Sequence, residues 1–216
     1  LNRLQNGEVL TLIVPLEAGL QRVMPRAVLE KLVFPIYCKM SLEREFLEVC
    51  LSDNGFIRSS LVENRGEYSA RGDIVDLFQP GCMNPIRIEF FGDEVESIRE
   101  FDISSQVSTN ELDSVNILPV RELSLTKVEK KRGVEAINKF AEKNSIDRLF
   151  LKELQEKIEH LGVFSGIEYL APFFHPTQES LFDYLDRDSL VVLMDEDQLQ
   201  DNSEQFQSMI KTEYNK

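Results

Sequence analysis

Residues 66–102, GEYSARGDIVDLFQPGCMNPIRIEFFGDEVESIREFD, decide the fold. Within 86–101, alternation puts Ile86, Ile88 and Phe90 on one face of a strand and Arg87, Glu89 and Phe91 on the other. Gly92-Asp93 then reads as the two-residue turn of a hairpin, because Gly at the first central position supplies the positive φ that the strand twist favours. If Phe91 opposes Glu94, the return strand places Val95, Ser97 and Arg99 with Ile86 and Phe90, and Glu94, Glu96 and Ile98 with Arg87 and Phe91. Phe91 therefore sits among charges. Either another element covers it, or it belongs to a docking surface. Arg87 shares its face, and the preceding strand, EYSARGDIVDLF (67–78), offers Arg71 between Ser69 and Asp73 in its own alternation. Arginines beside an aromatic are the composition of an interaction hot spot, which points to docking rather than to a catalytic pocket.

Working outward, EVLTLIVPLEAGLQRVMP (8–25) reads as a buried strand leading into a short helix, and continuous apolar strands are typical of parallel sheets covered on both sides. This predicts the tail of an α/β domain. Pro25 and Pro35, around AVLEKLVF, mark a crossing out of it. Ser41 is placed to cap a helix with Leu42, Phe46, Val49 and Cys50 on its buried face, ending at Asn54-Gly55. Strands follow from about Phe56 to Leu118, punctuated at 64–66, 80–85 and 92–93. After Pro119 the period becomes helical: Val134, Ile137, Phe140 and Ala141 share one face, and Ile146, Leu149, Phe150, Leu154, Ile158 and Leu161 another, with Gly162 as a stop. Residues 166–194 return to the α/β style, with LFDYL (181–185) as a short helix and LVVLM (190–194) as a buried strand. The polar, acidic segment from Asp195 to Lys216 is expected to fray. The fold class is thus α/β and α+β, an antiparallel sheet with helices inserted between pieces of a parallel α/β domain.

Composition bounds the chemistry. The 216 residues carry 24 basic and 38 acidic side chains, a formal charge of −14 that repels a phosphate backbone unless one face gathers the basic residues. The nearest candidate, Lys127, Lys130, Lys131 and Arg132, is interleaved with Glu129 and Glu135, the pattern of a solvated helix face. Cys38, Cys50 and Cys82 are odd in number without CxxC spacing, and His160 and His175 are the only histidines, so zinc is disfavoured and a reducing, cytoplasmic setting is expected. None of the ten glycines precedes a lysine, so no phosphate-binding loop is present, and GxSxG is absent. Glu94 and Glu96 lie on a strand face with no sign of burial, which gives no support to an acid/base pair. No enzyme activity is expected of these residues.

RGDIVDLF and PIRIEFFGDEVESIREFD resemble domain 2 of the bacterial excision-repair protein UvrB and its counterpart in the transcription-repair coupling factor (Mfd) family. GFIRSSLVENRGEY, ILPVREL, GIEYLAPFF and LFDYLDRDSLVVLMDE agree in order, so the resemblance covers nearly the whole chain. YLAPFF after GIE, the sequel Asp195-Glu196-Asp197-Gln198 in place of a full DESH motif, and the short spacing from ILPV to GIEY are similar to the coupling factors. Asp73, matching the UvrB form of the RGD turn, keeps a UvrB fragment open as an alternative, and an acidic interaction domain with another partner is a third. Gln79 departs from the family, which often has Pro there.

The resemblance implies three parts: 1–33 as the end of domain 1a, 34–120 as a UvrA-binding domain 2, and 121–216 as a helical segment with a return to domain 1b. It implies a non-catalytic module that recruits UvrA and so links stalled RNA polymerase to nucleotide excision repair, with Arg71, Arg87 and Phe91 as the UvrA contacts. Asp195 and Glu196 fall on a relic of a magnesium-holding motif. No cofactor is implied for these residues; ATP, magnesium, DNA and RNA polymerase would engage other domains of the longer protein.

Overall fold

The computed structural model describes residues 1–123, 125–160, 164 and 166–214, so the expected contributions of Leu161 and Gly162 lie outside the described residues. The chain forms two compact units, one of Leu1–Arg26 with the chain from Thr177 onward, the other of Ala27–Pro176.

The first unit begins with α1 (Asn2–Gln5), α2 (Leu16–Leu20) and β1 (Arg22–Val23). Residues 8–14, expected as a buried strand, enter no strand pairing among the described residues, and Val9 and Ile13 are exposed. The same holds for 190–194, where Leu190 through Met194 are exposed and form no strand instead of the second buried one. Both corrections have one physical reason: a parallel strand exists only when neighbours take its backbone N–H and C=O groups, and apolar content alone does not supply them.

The second unit opens with α3 (Arg26–Leu32), β2 (Phe34–Tyr37) and α4 (Arg44–Asp53). There follow β3 (Ile57–Arg58), β4 (Glu67–Arg71), β5 (Ile74–Leu77), β6 (Ile86–Phe91), β7 (Glu94–Phe101), β8 (Ser108–Leu112) and β9 (Ser114–Ile117). Strands β3 to β8 form one sheet in chain order, antiparallel except for the β3–β4 pair, while β2 and β9 make a separate antiparallel pair. Residues 67–78, expected as one strand, are two antiparallel strands joined at Gly72-Asp73, so Asp73 sits in a turn and not in alternation with Arg71. Two Gly-Asp turns drive the meander. Gly72 at φ +57° and Gly92 at φ +60° each occupy the first central position of a two-residue connection, a backbone region closed to most side chains.

Helix α4 lies on one face of the sheet and closes the main core, where Leu47 and Leu51 meet Tyr68, Val75, Leu77, Ile86, Ile88, Phe90, Val95 and Ile98. The phase differs from the expected one. Phe46 and Val49 are exposed, the helix starts at Arg44, and Ser41 instead bridges Glu94 on β7. Two apolar stripes compete along this helix, and the i, i+4 pair Leu47/Leu51 continues the line of Leu42 into the core. Gln79 joins β5 to the other strand pair: its amide donates to the Asn116 carbonyl at 3.0 Å and accepts from the Leu118 N–H at 3.0 Å.

The return strand corrects the alternation. Glu89 pairs with Ser97, but Phe90 pairs with Val95, so Glu96 is an extra residue in a β-bulge. Beyond it the parity reverses. Val95 and Ile98 both enter the core, and Ser97 and Arg99 join Arg87 on the opposite face instead of joining Ile86 and Phe90.

The unit ends with α5 (Lys127–Asn144), α6 (Arg148–His160) and α7 (Ala171–Phe174), the last preceded by a 3₁₀ turn, Ile167–Leu170. Thr126 and Glu129 form a reciprocal capping box that starts α5. Ile137 and Ala141 are buried and Val134 packs beside them, whereas Phe140 is half-exposed and meets Phe173 edge-on at 5.3 Å between centroids. On α6 the inward stripe is Leu151, Leu154 and Ile158, while Leu149 and Phe150 face solvent. Those two sit in the first turn, where the Asp147 carboxylate accepts both of their backbone N–H groups.

Back in the first unit, β10 (Glu179–Ser180) pairs antiparallel with β1, and Tyr184 is fully buried with its hydroxyl donating to the Met24 carbonyl at 2.6 Å. The segment expected to fray is instead α8 (Glu196–Tyr214), packed on α2. Its partly covered positions, Leu199, Asn202, Ser203 and Phe206, recur at helical spacing. Glu196 and Asp197 in the first turn and Lys211 in the last complement the helix dipole.

Gly133 lets α7 approach α5, since a Cβ there would intrude on the Phe174 ring. Gly133→Ala is therefore expected to cost about 1 to 3 kcal/mol of stability despite the better helix propensity of Ala, as measured by urea unfolding. Burial pushes the His175 imidazole below its ordinary value, with Glu129 opposing the shift and Arg132 adding to it. A histidine kept neutral in the folded state contributes fully above its unfolded value of about 6.5, and stability falls as the pH drops below that value. The melting temperature should decline as the pH falls below about 6.5, and His175→Gln should flatten that decline.

Candidate protein-interaction site

The face of the sheet turned away from α4 is built of charges in rows. Pairing registers align Ser69, Asp76, Arg87, Arg99 and Glu111 across β4 to β8, and Arg71, Ile74, Glu89 and Ser97 in the next row. Phe91, opposite Glu94, ends the hairpin beyond them.

Asp76 is the centre of this face. Its side chain is 1 % exposed, although it is a carboxylate in a strand. Arg87 grips it with both arms of the guanidinium, Nε to Oδ1 at 2.7 Å and Nη2 to Oδ2 at 3.0 Å, and Arg71 from β4 adds Nη2 to Oδ2 at 3.2 Å. Arg87 also donates from Nη1 to the Gln106 carbonyl at 3.3 Å and lies over the Phe101 ring at 4.8 Å. The hydrogen bond to Asp76 holds the Arg87 guanidinium still more firmly in its charged form. Arg99, directly across from Arg87, turns to Glu89 at 3.2 Å and Glu111 at 3.4 Å, and Ser97 donates to Glu89 at 2.6 Å. The like charges of the row are thus satisfied laterally by different acids.

The three expected contact residues have different standing. Phe91 is 78 % exposed, covered by neither helix nor strand. Arg71 is half-exposed and spends one nitrogen on Asp76. Arg87 is only 14 % exposed and largely engaged inside the face. The tip around Phe91 is fixed by its neighbours: Lys39 pairs with Glu94 at 3.3 Å, the Asp93 carbonyl accepts from the Leu42 N–H, and the Asp73 carbonyl accepts from the Phe90 N–H. Arg44 reaches the Gly72 carbonyl, so both Gly-Asp turns are anchored beside the start of α4.

Sequence reasoning did not single out Asp76, Glu89, Arg99 or Gln106. An acid between Val75 and Leu77 in a strand otherwise apolar was the available signal for Asp76. Asp195 and Glu196 lie in the other unit at the start of α8, both exposed, where Asp195 accepts the Gln198 N–H at 3.3 Å with its own φ at +58°. The strand expected to carry them is not formed. Among the described residues no group of three His, Cys, Asp or Glu side chains is placed to hold a metal ion, and no helix is long and apolar enough to cross a membrane.

Residues 34–123 match the family described as the UvrB interaction domain. Over longer stretches the chain is similar to proteins named transcription-repair-coupling factor. It is 32 % identical to that of Haemophilus influenzae over 212 residues, covering 98 % of this chain and 18 % of the relative. The figures are 34 % over 175 residues for Myxococcus xanthus, covering 81 % and 15 %, and 31 % over 198 residues for Escherichia coli, covering 91 % and 17 %. The chain therefore spans less than a fifth of the length of these relatives.

The geometry separates stability from exposure. Arg87→Ala leaves the Asp76 carboxylate buried with Arg71 as its remaining side-chain partner, and is expected to cost about 3 kcal/mol, the low end for a broken buried ion pair. Arg71→Ala removes a half-exposed partner and should cost about 1 kcal/mol or less. Urea unfolding of the two variants, fitted with a common slope, measures the difference.

Proposed function

Residues 34–123 belong to the UvrB interaction domain family, within a chain homologous to bacterial transcription-repair-coupling factors over most of its length, and from that premise we propose that the chain is a UvrA-recruiting module. In this reading it links RNA polymerase stalled at a lesion to nucleotide excision repair. ATP, magnesium, DNA and RNA polymerase engage other domains of the longer protein, which acts in the bacterial cytoplasm, and these residues carry no catalytic step. Residues 34–120 are the docking domain, with 1–33 and 121–216 as parts of the flanking domain. The relatives quoted above favour a coupling factor over a fragment of UvrB.

The observation that carries the proposal is the exposed Phe91 at the end of a charged sheet face whose Arg71 and Arg87 converge on one carboxylate. An aromatic ring supplies apolar area at a low entropic cost, and arginine supplies charge-assisted hydrogen bonds to carboxylates or carbonyls of a partner. The remaining donors of Arg71 point to it as the contact among the two arginines that is accessible without unfolding the face. Arg87 contributes chiefly by holding that face together.

Calorimetric titration of the chain with UvrA tests this. Arg71→Ala and Phe91→Ala are each expected to weaken binding by about 1 to 4 kcal/mol. Phe150→Ala, on the exposed side of α6, should leave the affinity unchanged. Full affinity in both face variants, with their circular dichroism intact, would sink the proposal and favour an interaction domain with another partner.

A further inference from the structure

We propose that Asp76 is the positioning residue of this docking face: its carboxylate ties Arg71 on β4 to Arg87 on β6, so that the free donors of Arg71 are presented at a fixed place to carboxylates or carbonyls of a protein partner. The inference rests on the reading that this face binds UvrA, and it adds a residue that does not itself reach the partner.

Three observations carry it. First, Asp76 lies between the two arginines in the sheet, on β5, and is 1 % exposed, so a partner cannot touch its side chain. Second, it accepts three hydrogen bonds, two from Arg87 and one from Arg71, which occupies both of its oxygens. Third, the arginines it gathers differ in how much remains to offer: Arg87 has committed Nε, Nη1 and Nη2, while Arg71 has committed only Nη2. An arginine carries five N–H donors in a rigid planar fork, so anchoring one nitrogen orients the others.

The charge balance supports the same role. Arg71, Arg87 and Arg99 stand on this face against Asp76, Glu89 and Glu111, and Arg99 takes up the two glutamates, which leaves Asp76 to the other two arginines. Other acids are exposed on the neighbouring turns and strand, among them Asp73, Asp93, Glu94 and Glu96, in a chain whose formal charge is −14. A free arginine in that setting would swing toward any of them. The tie to Asp76 keeps Arg71 from doing so. For stability alone, apolar residues in place of the whole group, Asp76 with both arginines, would serve as well, because the desolvation of buried ions offsets much of their attraction.

The experiment is a double-mutant cycle on the whole chain, read by UvrA affinity, with Asp76→Asn, Arg71→Ala and the double variant. Asparagine keeps the shape and one acceptor while removing the charge. We expect Asp76→Asn to weaken binding about tenfold and to add little to Arg71→Ala, the signature of residues acting through one another. A second readout needs no partner: the Nε–Hε resonance of Arg87, whose Nε donates to Asp76 at 2.7 Å, should exchange slowly in the parent chain and faster in Asp76→Asn, and the guanidinium of Arg71, anchored through Nη2, should gain mobility. Asp76→Glu, which keeps the charge but moves it by one methylene, serves if the asparagine variant does not fold; it should lower affinity more than it lowers the melting temperature.

Unchanged affinity and unchanged arginine resonances in the folded Asp76 variant would overturn the inference, as would an effect fully additive with Arg71→Ala. The failure of the docking reading itself looks different. In that case the parent chain does not bind UvrA, or Arg71→Ala and Phe91→Ala bind as tightly as the parent, and both proposals fall together.

Discussion

A carboxylate sealed inside a sheet face constrains everything around it. Asp76 is excluded from water, and an ionised acid there is tolerable only while its hydrogen bonds are met. Meeting them requires arginines within reach on both neighbouring strands, hence the registers that set Asp76 opposite Arg87 and one row from Arg71. Those registers are in turn fixed by the two Gly-Asp turns and by the apolar side chains that β5 and β6 send to the other face under α4. The sheet is consequently two structures back to back: a conventional apolar core on one side and, on the other, a charged network with Arg87 laid over the buried Phe101. Slipping one strand by a residue would damage both at once.

Much of this was legible in the residues. The turn at 92–93, the pairing of Phe91 with Glu94, and the inward set Ile86, Ile88 and Phe90 follow from local chemistry and are found as read, whereas the turn at 72–73 lay hidden in what reads as one strand, 67–78. The exposure of Phe91 was likewise visible in its charged surroundings. What alternation could not reveal was the bulge at Glu96, because one extra residue inverts every assignment beyond it without altering composition. Arg99 and Ile98 exchanged faces for that reason alone. The depth at which Arg87 is held was hidden as well, since periodicity assigns a face and says nothing of how a neighbouring acid draws a long side chain inward.

The two apolar stretches, 9–14 and 190–194, failed for a different cause. Their sequence states a preference for being strands, but strand formation is a property of a pair, and the described residues provide no partner. Conversely, α8 was overlooked because its composition is polar, although its end charges and its helically spaced Leu199 and Phe206 are sufficient once α2 gives it a surface. In both cases tertiary context, not local propensity, decided the outcome.

The bulge at Glu96 bears on how such a hairpin can change over time. Individual side chains on its polar face are replaceable, each being satisfied by more than one neighbour, as Glu89 is by Ser97 and Arg99. Chain length is tolerant at one point only. Deleting Glu96 would restore regular pairing and leave Val95 and Ile98 both opposite core residues, because the residue removed is the one without a partner. An insertion or deletion elsewhere in β7 would instead turn every side chain beyond it to the other face. Related hairpins should therefore confine their changes of length to the bulge, while substitutions accumulate along the rest of the strand.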